Sequence, residues 1–169
     1  MTFAEWLQQS RGTFPALDET NCQPTSPFDE GYNCIAWAAG DTKKWWWPDP
    51  LEQLYWPPEV PRQQSLDAFV KAFALLGYSA RCDASCETDK HKVAIFVNSS
   101  QTPTHAARQL ANGKWTSKLG QQIDIEHELV AIEGPLYGTV AIILAKDIKT
   151  QSNDVAKRER EKNHQKRTR

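Results

Sequence analysis

A single cysteine at the start of an apolar segment is the residue of this sequence best suited to covalent chemistry. Cys34 follows Asn33 in the segment NCIAWAAG, which contains no turn residue before Gly40 and therefore predicts a short helix. A thiol becomes a strong nucleophile when a helix N-terminus or a neighbouring imidazole lowers its pKa. The backbone N–H groups of the first helical turn can also hold an oxyanion. We therefore take Cys34 as a candidate nucleophile; a buried structural thiol is the alternative.

Among the four histidines, His105 has the position best suited to a general base, because it opens a predicted strand of a hairpin. The segments THAARQL and KWTSKLG flank Ala-Asn-Gly, a hairpin signal. If the loop has three residues, Ala107 lies opposite Ser117, and Ser117 shares a face with His105 as its orienting partner. If Asn-Gly alone forms the turn, the register slips by one and Lys118 takes that face. The sequence leaves this choice open.

Aromatic residues flank the candidate nucleophile on both sides. Tyr32 precedes Cys34 by two residues and could direct its hydroxyl at an oxyanion. Trp45, Trp46 and Trp47 are consecutive, and adjacent side chains cannot all face inward, so we expect at least one to line a cleft. We predict that Tyr32 and these three tryptophans contact the substrate. The alternative is that they pack in the core.

The four cysteines do not suit a zinc site. Cys82 and Cys86 have a spacing found in such sites, but Cys22 and Cys34 are too far apart in sequence to form a second close pair of ligands. The histidines and their neighbouring carboxylates match no metal-binding motif, and the chain has no glycine-rich phosphate loop. We therefore expect no metal and no other cofactor.

The elements that must position these residues are short helices followed by strands. The segment SLDAFVKAFALLG, residues 65–77, has helical spacing of apolar residues, with Ser65 as the candidate N-cap and Gly77 at its end. The segments HKVAIFVN and YGTVAIILAK predict strands on either side of the hairpin. Helices first and then a small, mostly antiparallel sheet indicate an α+β fold. The length suits one domain, which we place over residues 1–150.

The arrangement of a Cys that opens a helix, a His that opens a strand and a polar residue across a hairpin resembles the NlpC/P60 and CHAP branch of the papain-like cysteine peptidases. The resemblance implies a papain-like core, with the Cys34 helix packed on a small antiparallel sheet. It also implies that Cys34 is the nucleophile, His105 the base and Ser117 the orienting residue. The third residue of that branch is typically His, Asn, Gln or Glu, and Ser departs from this pattern because it carries no charge.

Whole phrases of the sequence are similar to those of an uncharacterised bacterial family. The phrases include NCIAWA, WWWP and HAARQ with WTSKLG, and the similarity covers roughly residues 25 to 145. This resemblance implies no established activity.

Charge is distributed unevenly along the chain. Residues 155–169 contain seven Lys or Arg and two Glu, whereas the rest contains 13 Lys or Arg and 19 Asp or Glu. We predict a basic, flexible tail over residues 151–169, and the acidic body argues against a nucleic-acid partner. No apolar run is long enough to span a membrane and the N-terminus does not resemble a signal peptide, so we expect a cytoplasmic protein.

These features together predict a cysteine hydrolase or amidase that acts on an amide, peptide or isopeptide bond. Its partner would be a peptide or another amide-containing substrate. The alternative is a non-catalytic module that binds a protein partner through the Trp-rich loop. Hydrolysis and group transfer by the same thiol cannot be distinguished from the sequence.

Overall fold

A single seven-stranded antiparallel sheet forms the body of the protein. The computed structural model describes residues 2–81 and 83–148. Its strands are β1 (Cys22–Pro24), β2 (Ser79–Arg81), β3 (Lys90–Val97), β4 (Pro103–Gln109), β5 (Trp115–Lys118), β6 (Asp124–His127) and β7 (Thr139–Asp147). Its helices are α1 (Phe3–Ser10), α2 (Cys34–Ala39) and α3 (Leu66–Ala74), and a 3-10 turn covers Leu129–Ile132. The strand order across the sheet is β1-β6-β5-β4-β3-β7-β2.

The prediction of an α+β fold with a papain-like core is wrong. Only 18% of the structure is helical and 29% is strand, and one continuous sheet replaces the small sheet that we expected. The physical reason is that the helical segments are short, at six to nine residues, whereas the second half of the chain forms a meander from β3 to β6. Strands β1, β7 and β2 then extend this meander on both sides.

The sheet has an apolar core on each face. Successive residues of a strand point to opposite faces, and in β3 Val93 packs into one core while Ala94 packs into the other. Helices α2 and α3 cover the first face with residues such as Ile35 and Phe69. Helix α1 covers the second face, with Trp6 as one of its buried residues.

Helix α2 begins at Cys34, as the sequence predicts. Asn33 is its N-cap, and the Oδ1 atom of Asn33 accepts the backbone N–H of Ala36 at 3.1 Å. Gly40 ends the helix with a φ of 83°, a conformation that favours glycine. The amide of Asn33 also donates to the carbonyl of Trp46 at 2.9 Å, which attaches the tryptophan segment to the start of the helix. The predicted N-cap of α3, Ser65, is likewise confirmed.

The hairpin between β4 and β5 has the register of a three-residue loop. The backbone N–H of Leu110 donates to the carbonyl of Lys114 at 2.8 Å, and Arg108 lies opposite Thr116. This register places Ser117 on the face of His105, which the sequence alone did not decide.

Some features considered in the sequence analysis lie in parts of the chain that the structure does not describe. The tail over residues 151–169 and the domain end at residue 150 lie outside the described residues, as does Cys82. Within residues 2–81 and 83–148, no helix is long and apolar enough to cross a membrane. In the same residues, no three His, Cys, Asp or Glu side chains converge as a metal-binding group.

Candidate active site

Three polar side chains form a hydrogen-bonded chain inside the sheet, on the face covered by α1. The Nε2 atom of His105 lies 2.8 Å from the Oγ atom of Ser117, which lies 2.8 Å from the Nε2 atom of His127. The Nδ1 atom of His127 lies 2.8 Å from the carbonyl oxygen of Glu128. These residues come from three adjacent strands, β4, β5 and β6, and the side chains of the three linked residues are fully buried.

The carbonyl of Glu128 determines where every hydrogen of this chain lies. A carbonyl oxygen only accepts, so Nδ1 of His127 must carry a hydrogen, and Nε2 of a neutral His127 is then an acceptor. The hydroxyl of Ser117 therefore donates to His127 and accepts the Nε2–H of His105. Nδ1 of a neutral His105 is consequently left as an acceptor, and it has no hydrogen-bond partner among the described residues.

Burial keeps both histidines neutral. It lowers the pKa of His127 to about 4, against smaller opposing contributions from the Glu128 carbonyl and the Glu126 carboxylate. Burial also lowers the pKa of His105 well below its ordinary value, and the proximity of His127 adds to this shift. The pair is therefore uncharged at neutral pH, as the assignment of hydrogens requires.

The thiol of Cys34 lies beside β4. Burial has the largest effect on the pKa of this thiol, and the backbone N–H groups of Ala106, Ile35 and Cys34 itself make smaller, opposing contributions. Burial outweighs them and raises the pKa to about 11, so the lowered pKa predicted from the sequence is not present in this conformation. Cys34 is buried in the core under α2, and in the described part of the chain no hydrogen bond joins it to Nδ1 of His105.

Tyr137 covers the imidazole of His105. Its ring stacks on His105 with 4.0 Å between ring centroids and an interplanar angle of 16°. Burial raises the pKa of Tyr137, and Cys34 makes a smaller contribution in the same direction. Tyr137 belongs to a tight turn in which Gly134 and Gly138 exchange backbone hydrogen bonds.

Glycine is required at the end of this turn. Gly138 has a φ of 72°, and a Cβ atom there would lie 1.9 Å from the carbonyl oxygen of Val97. The close approach brings the turn against the end of β3 and places Tyr137 over His105.

A groove of about 790 Å³ lies on the outer side of this turn. Its lining is rich in aromatic residues and amides, and it includes Trp6, Phe14, Phe28, Trp45, Leu136 and Tyr137. Phe28 and Leu136 are exposed at this groove. Tyr137 thus separates the groove from His105.

The predicted substrate-contacting aromatic residues have different positions. Trp45 lines the groove, whereas Trp46 is buried in the core and Trp47 packs edge-on against Phe69 at 5.5 Å. A substrate-contacting role for Trp46 and Trp47 is therefore not supported by their positions, because helices α2 and α3 bury this part of the segment. The indole N–H of Trp45 donates to the backbone at Glu30, which fixes the ring at the rim of the groove.

The hydroxyl of Tyr32 does not face the thiol. It donates to the Oδ2 atom of Asp124 at 2.7 Å, so it is already engaged and is not available to an oxyanion. Lys118, the alternative neighbour of His105, belongs to the same buried cluster. Its Nζ atom lies 3.8 Å from Oδ1 of Asp124 and 4.6 Å from the centre of the Tyr32 ring.

Sequence reasoning missed two residues of this site. His127 was considered only as a metal ligand, although the register of β5 and β6 brings it to Ser117. The signal available in the sequence was the short spacing of 10 residues between Ser117 and His127, which suits a second hairpin. No local pattern in the sequence could have indicated Tyr137. It lies in a turn after the 3-10 segment, and only the tertiary fold brings it against His105.

The fold and site thus define an antiparallel-sheet protein with a buried histidine–serine–histidine chain on one face of the sheet and a buried cysteine under α2 in the core of the other face. Residues 23–145 match the family described as a domain of unknown function, DUF7689, and the chain belongs to this family. The match agrees with the family resemblance drawn from the sequence phrases. Neither a curated protein nor a solved structure matches the chain.

Proposed function

We propose that this protein is a cysteine hydrolase that cleaves an amide, peptide or isopeptide bond, with Cys34 as the nucleophile and His105 as the general base. The observation that carries the proposal is the unpaired acceptor at Nδ1 of His105. A buried acceptor without a partner costs about 1–3 kcal/mol, so its presence in a native fold calls for a functional reason. Receiving the proton of the Cys34 thiol is such a reason, and it requires a rearrangement that brings the sulfur within reach of Nδ1.

In the first half of the reaction, Nδ1 of His105 takes the proton of the Cys34 thiol. The thiolate attacks the substrate carbonyl carbon, and the carbonyl oxygen becomes an oxyanion. The backbone N–H of Cys34, at the start of α2, stabilises the negative charge. His105 then returns its proton to the leaving amine, and a thioester at Cys34 remains.

The hydrogen-bonded chain stabilises the intermediate cation. When Nδ1 of His105 gains a proton, its Nε2–H can pass to Ser117 while the Ser117 hydroxyl hydrogen passes to His127. The positive charge then resides on His127, where the Glu128 carbonyl and the Glu126 carboxylate favour the charged form. Ser117 therefore orients His105 and also relays a proton, which compensates for its lack of charge.

The second half of the reaction hydrolyses the thioester. Water attacks the acyl carbon, and Nδ1 of His105 accepts one of its protons. The C–S bond breaks, the carboxylic acid leaves, and the Cys34 sulfur recovers its proton from His105. No cofactor takes part in these steps.

Tyr137 must move before a substrate can reach Cys34. The aromatic groove beyond Tyr137 provides the approach, and the exposed Phe28 and Leu136 suit an apolar side chain of the substrate. In the closed conformation the thiol is protonated, because burial raises its pKa to about 11. Opening would hydrate the thiol and bring its pKa towards that of the imidazole.

The roles proposed for Cys34, His105 and Ser117 are those that the NlpC/P60 and CHAP resemblance implies. The alternative function is a non-catalytic module that binds a protein partner. The exposed apolar side chains of Phe28 and Leu136 favour this alternative, with the groove and Trp45 as the interface in place of the whole tryptophan segment.

The test compares cysteine alkylation by iodoacetamide in four proteins: the unchanged chain, Tyr137→Ala, His105→Gln and the double variant. Mass spectrometry assigns the rate to each cysteine. We expect Tyr137→Ala to raise the alkylation rate of Cys34 about tenfold at pH 7, because it removes the ring that covers the site. In that background, His105→Gln should lower the rate by about tenfold, because the thiol loses its base.

Cys86 is the internal control, since its thiol is exposed and should react at the same rate in all four proteins. Cys22 is buried and serves as the control for general unfolding. Acylation of Cys34 by p-nitrophenyl acetate, lost in His105→Gln, would extend the result from reactivity to turnover. If Cys34 reacts equally with and without His105 in the opened protein, the catalytic pair is wrong and the interaction module is favoured.

A further inference from the structure

A second groove lies on the opposite face of the sheet, at the C-terminal end of α2. It has a volume of about 180 Å³ and is lined by residues that include Gly40, Tyr78, His91, Arg108 and Lys146. A neighbouring hollow of about 350 Å³ shares His91 and Arg108 with it. Neither cavity includes a residue of the proposed hydrolase site.

Two of the three cationic side chains that line this groove, Arg108 and Lys146, are not neutralised by carboxylates of the described chain. The third, Lys92, is paired with Asp83 and Glu87. Among the described residues, neither Arg108 nor Lys146 forms an ion pair within 4 Å, and the Arg108 side chain donates no hydrogen bond. Glu87 is the one carboxylate among the described residues that line the two cavities, and it lies 2.6 Å from the ammonium of Lys92. The donors of Arg108 and Lys146 are therefore free to bind a ligand.

Aromatic rings hold both cations in place. The guanidinium of Arg108 lies 4.0 Å from the ring centre of Trp37, and the ammonium of Lys146 lies 4.6 Å from that of Tyr78. A guanidinium that rests on a ring keeps its edge available for two parallel hydrogen bonds to an oxyanion. Its side-chain freedom is already restricted, so less entropy is lost when a ligand binds.

His91 completes the groove. It lies opposite Lys146 in the pairing of β3 with β7, and burial together with Lys146 and Arg108 lowers its pKa. A neutral imidazole at this position can donate a hydrogen bond without adding charge. The groove thus has two fixed positive charges and a further donor.

We propose that the groove of Arg108, Lys146 and His91 binds the phosphate group of a small phosphate monoester. A phosphate monoester carries close to two negative charges at neutral pH, which match the two cations, whereas a carboxylate carries one. The size of the groove suits a phosphate group with a small alcohol. The acidic body of the chain, with 13 basic and 19 acidic residues before residue 155, disfavours a polynucleotide.

The test is an NMR titration of the full chain with inorganic phosphate and then with glycerol phosphate. The indole N–H of Trp37, which donates to Thr116 at 3.2 Å, is the reporter beside Arg108. We expect a saturable shift of this resonance with a Kd of about 1 mM. Acetate and sodium chloride at equal ionic strength should produce at most a weak, non-saturating shift.

Arg108→Gln should weaken phosphate binding about tenfold or more, because it removes both the charge and the forked donors. Lys146→Gln should weaken it several-fold and remains informative if the first variant does not fold. Lys71→Gln is the matched control, since Lys71 is an exposed lysine paired with Asp67 on α3 and its loss changes the net charge equally.

Three outcomes would overturn the proposal. The first is the absence of a saturable shift at about 20 mM phosphate. The second is an equal loss of binding in Lys71→Gln, which would indicate a general charge effect. The third is tighter binding of an oligonucleotide that lacks a terminal phosphate, which would identify a surface for a polyanion.

Discussion

Strand β4 carries two polar residues that experience opposite environments. His105 points to one face of the sheet, is fully buried and takes part in a chain of hydrogen bonds. Arg108 points to the other face, is half-buried and lies against Trp37 with its donors open to a groove. They are three residues apart, so the difference arises from what covers each face and not from their distance along the chain.

The comparison shows how burial changes the role of a polar group. Tyr137 covers His105, so water is excluded from its imidazole. The ring therefore depends on protein groups for its hydrogen bonds, and burial keeps it neutral. At the groove, water solvates the guanidinium until a ligand replaces it, so the charge remains available. The buried position of His105 is suited to the proposed proton transfer, and the position of Arg108 at a groove is suited to the proposed ion binding.

The largest expected effect is on the stability of the folded protein in acid. Protonation of the two buried histidines, His105 and His127, should lower the free energy of unfolding. The pKa of His127 is about 4 in the folded protein and about 6.5 in the unfolded chain, so its contribution to stability is present above pH 6.5 and is lost as the pH falls towards 4. Between pH 6.5 and 4.5 we expect protonation linked to His127 to lower the free energy of unfolding by about 2 kcal/mol, and the lowered pKa of His105 adds to this loss.

Urea denaturation at the two pH values measures this loss. His127→Gln should reduce the pH dependence by the share of one histidine. His91→Gln, which alters an exposed histidine at the groove, should leave most of it unchanged. Equal effects of the two substitutions would contradict the distinction between the two faces.

The next effect concerns Ser117 and its neighbour Thr116, which lie on opposite faces of β5. Ser117→Ala removes a hydroxyl that bonds two buried histidines, and we expect a loss of about 2–3 kcal/mol because two Nε2 atoms lose their partner. Thr116→Val removes one bond, from the indole of Trp37, and should cost about 1 kcal/mol.

Unfolding by urea gives both values, and the nitrogen chemical shifts of the histidines report the hydrogen positions. In the unchanged protein Nδ1 of His105 and Nε2 of His127 should lack hydrogens. In Ser117→Ala, His127 should keep its hydrogen on Nδ1, because the Glu128 carbonyl still accepts it, whereas His105 loses the partner that fixes its tautomer. Loss of the pattern in Thr116→Val, or a hydrogen on Nε2 of His127 in the unchanged protein, would refute the proposed orientation of the chain.

The smallest effect should follow Arg108→Gln at the groove. The guanidinium has no ion pair among the described residues, so its removal forfeits only its contact with Trp37, worth less than about 1 kcal/mol. Urea unfolding in phosphate-free buffer tests this value. A loss as large as that of Ser117→Ala would mean that Arg108 supports the fold and that the groove is not held open for a ligand.

Local features of the fold and site were predictable because neighbouring residues determine them. Asn33 and Gly40 cap α2 and thereby place Cys34 in its first turn. The Ala-Asn-Gly loop limits the hairpin to two registers, and each places a particular residue beside His105. The choice of Ser117 over Lys118 needed the structure, since both registers satisfy the local pattern.

Features that depend on distant segments were not predictable. The burial that raises the pKa of Cys34 comes from the packing of α2 on the sheet, and the pairing of β5 with β6 brings His127 to Ser117. The α+β assignment failed for the same reason, because the order of elements does not reveal that seven strands join one sheet.

The sequence by itself determined the start of α2 at Cys34, two possible registers of the hairpin and the membership of residues 23–145 in their family. These depend on capping, turn chemistry and shared phrases, all of which are local. The tertiary structure alone decided that Tyr137 covers His105, that burial raises the pKa of the Cys34 thiol and that Arg108 lines a groove. Burial and long-range pairing set these properties, because the exclusion of water depends on which distant segments pack together.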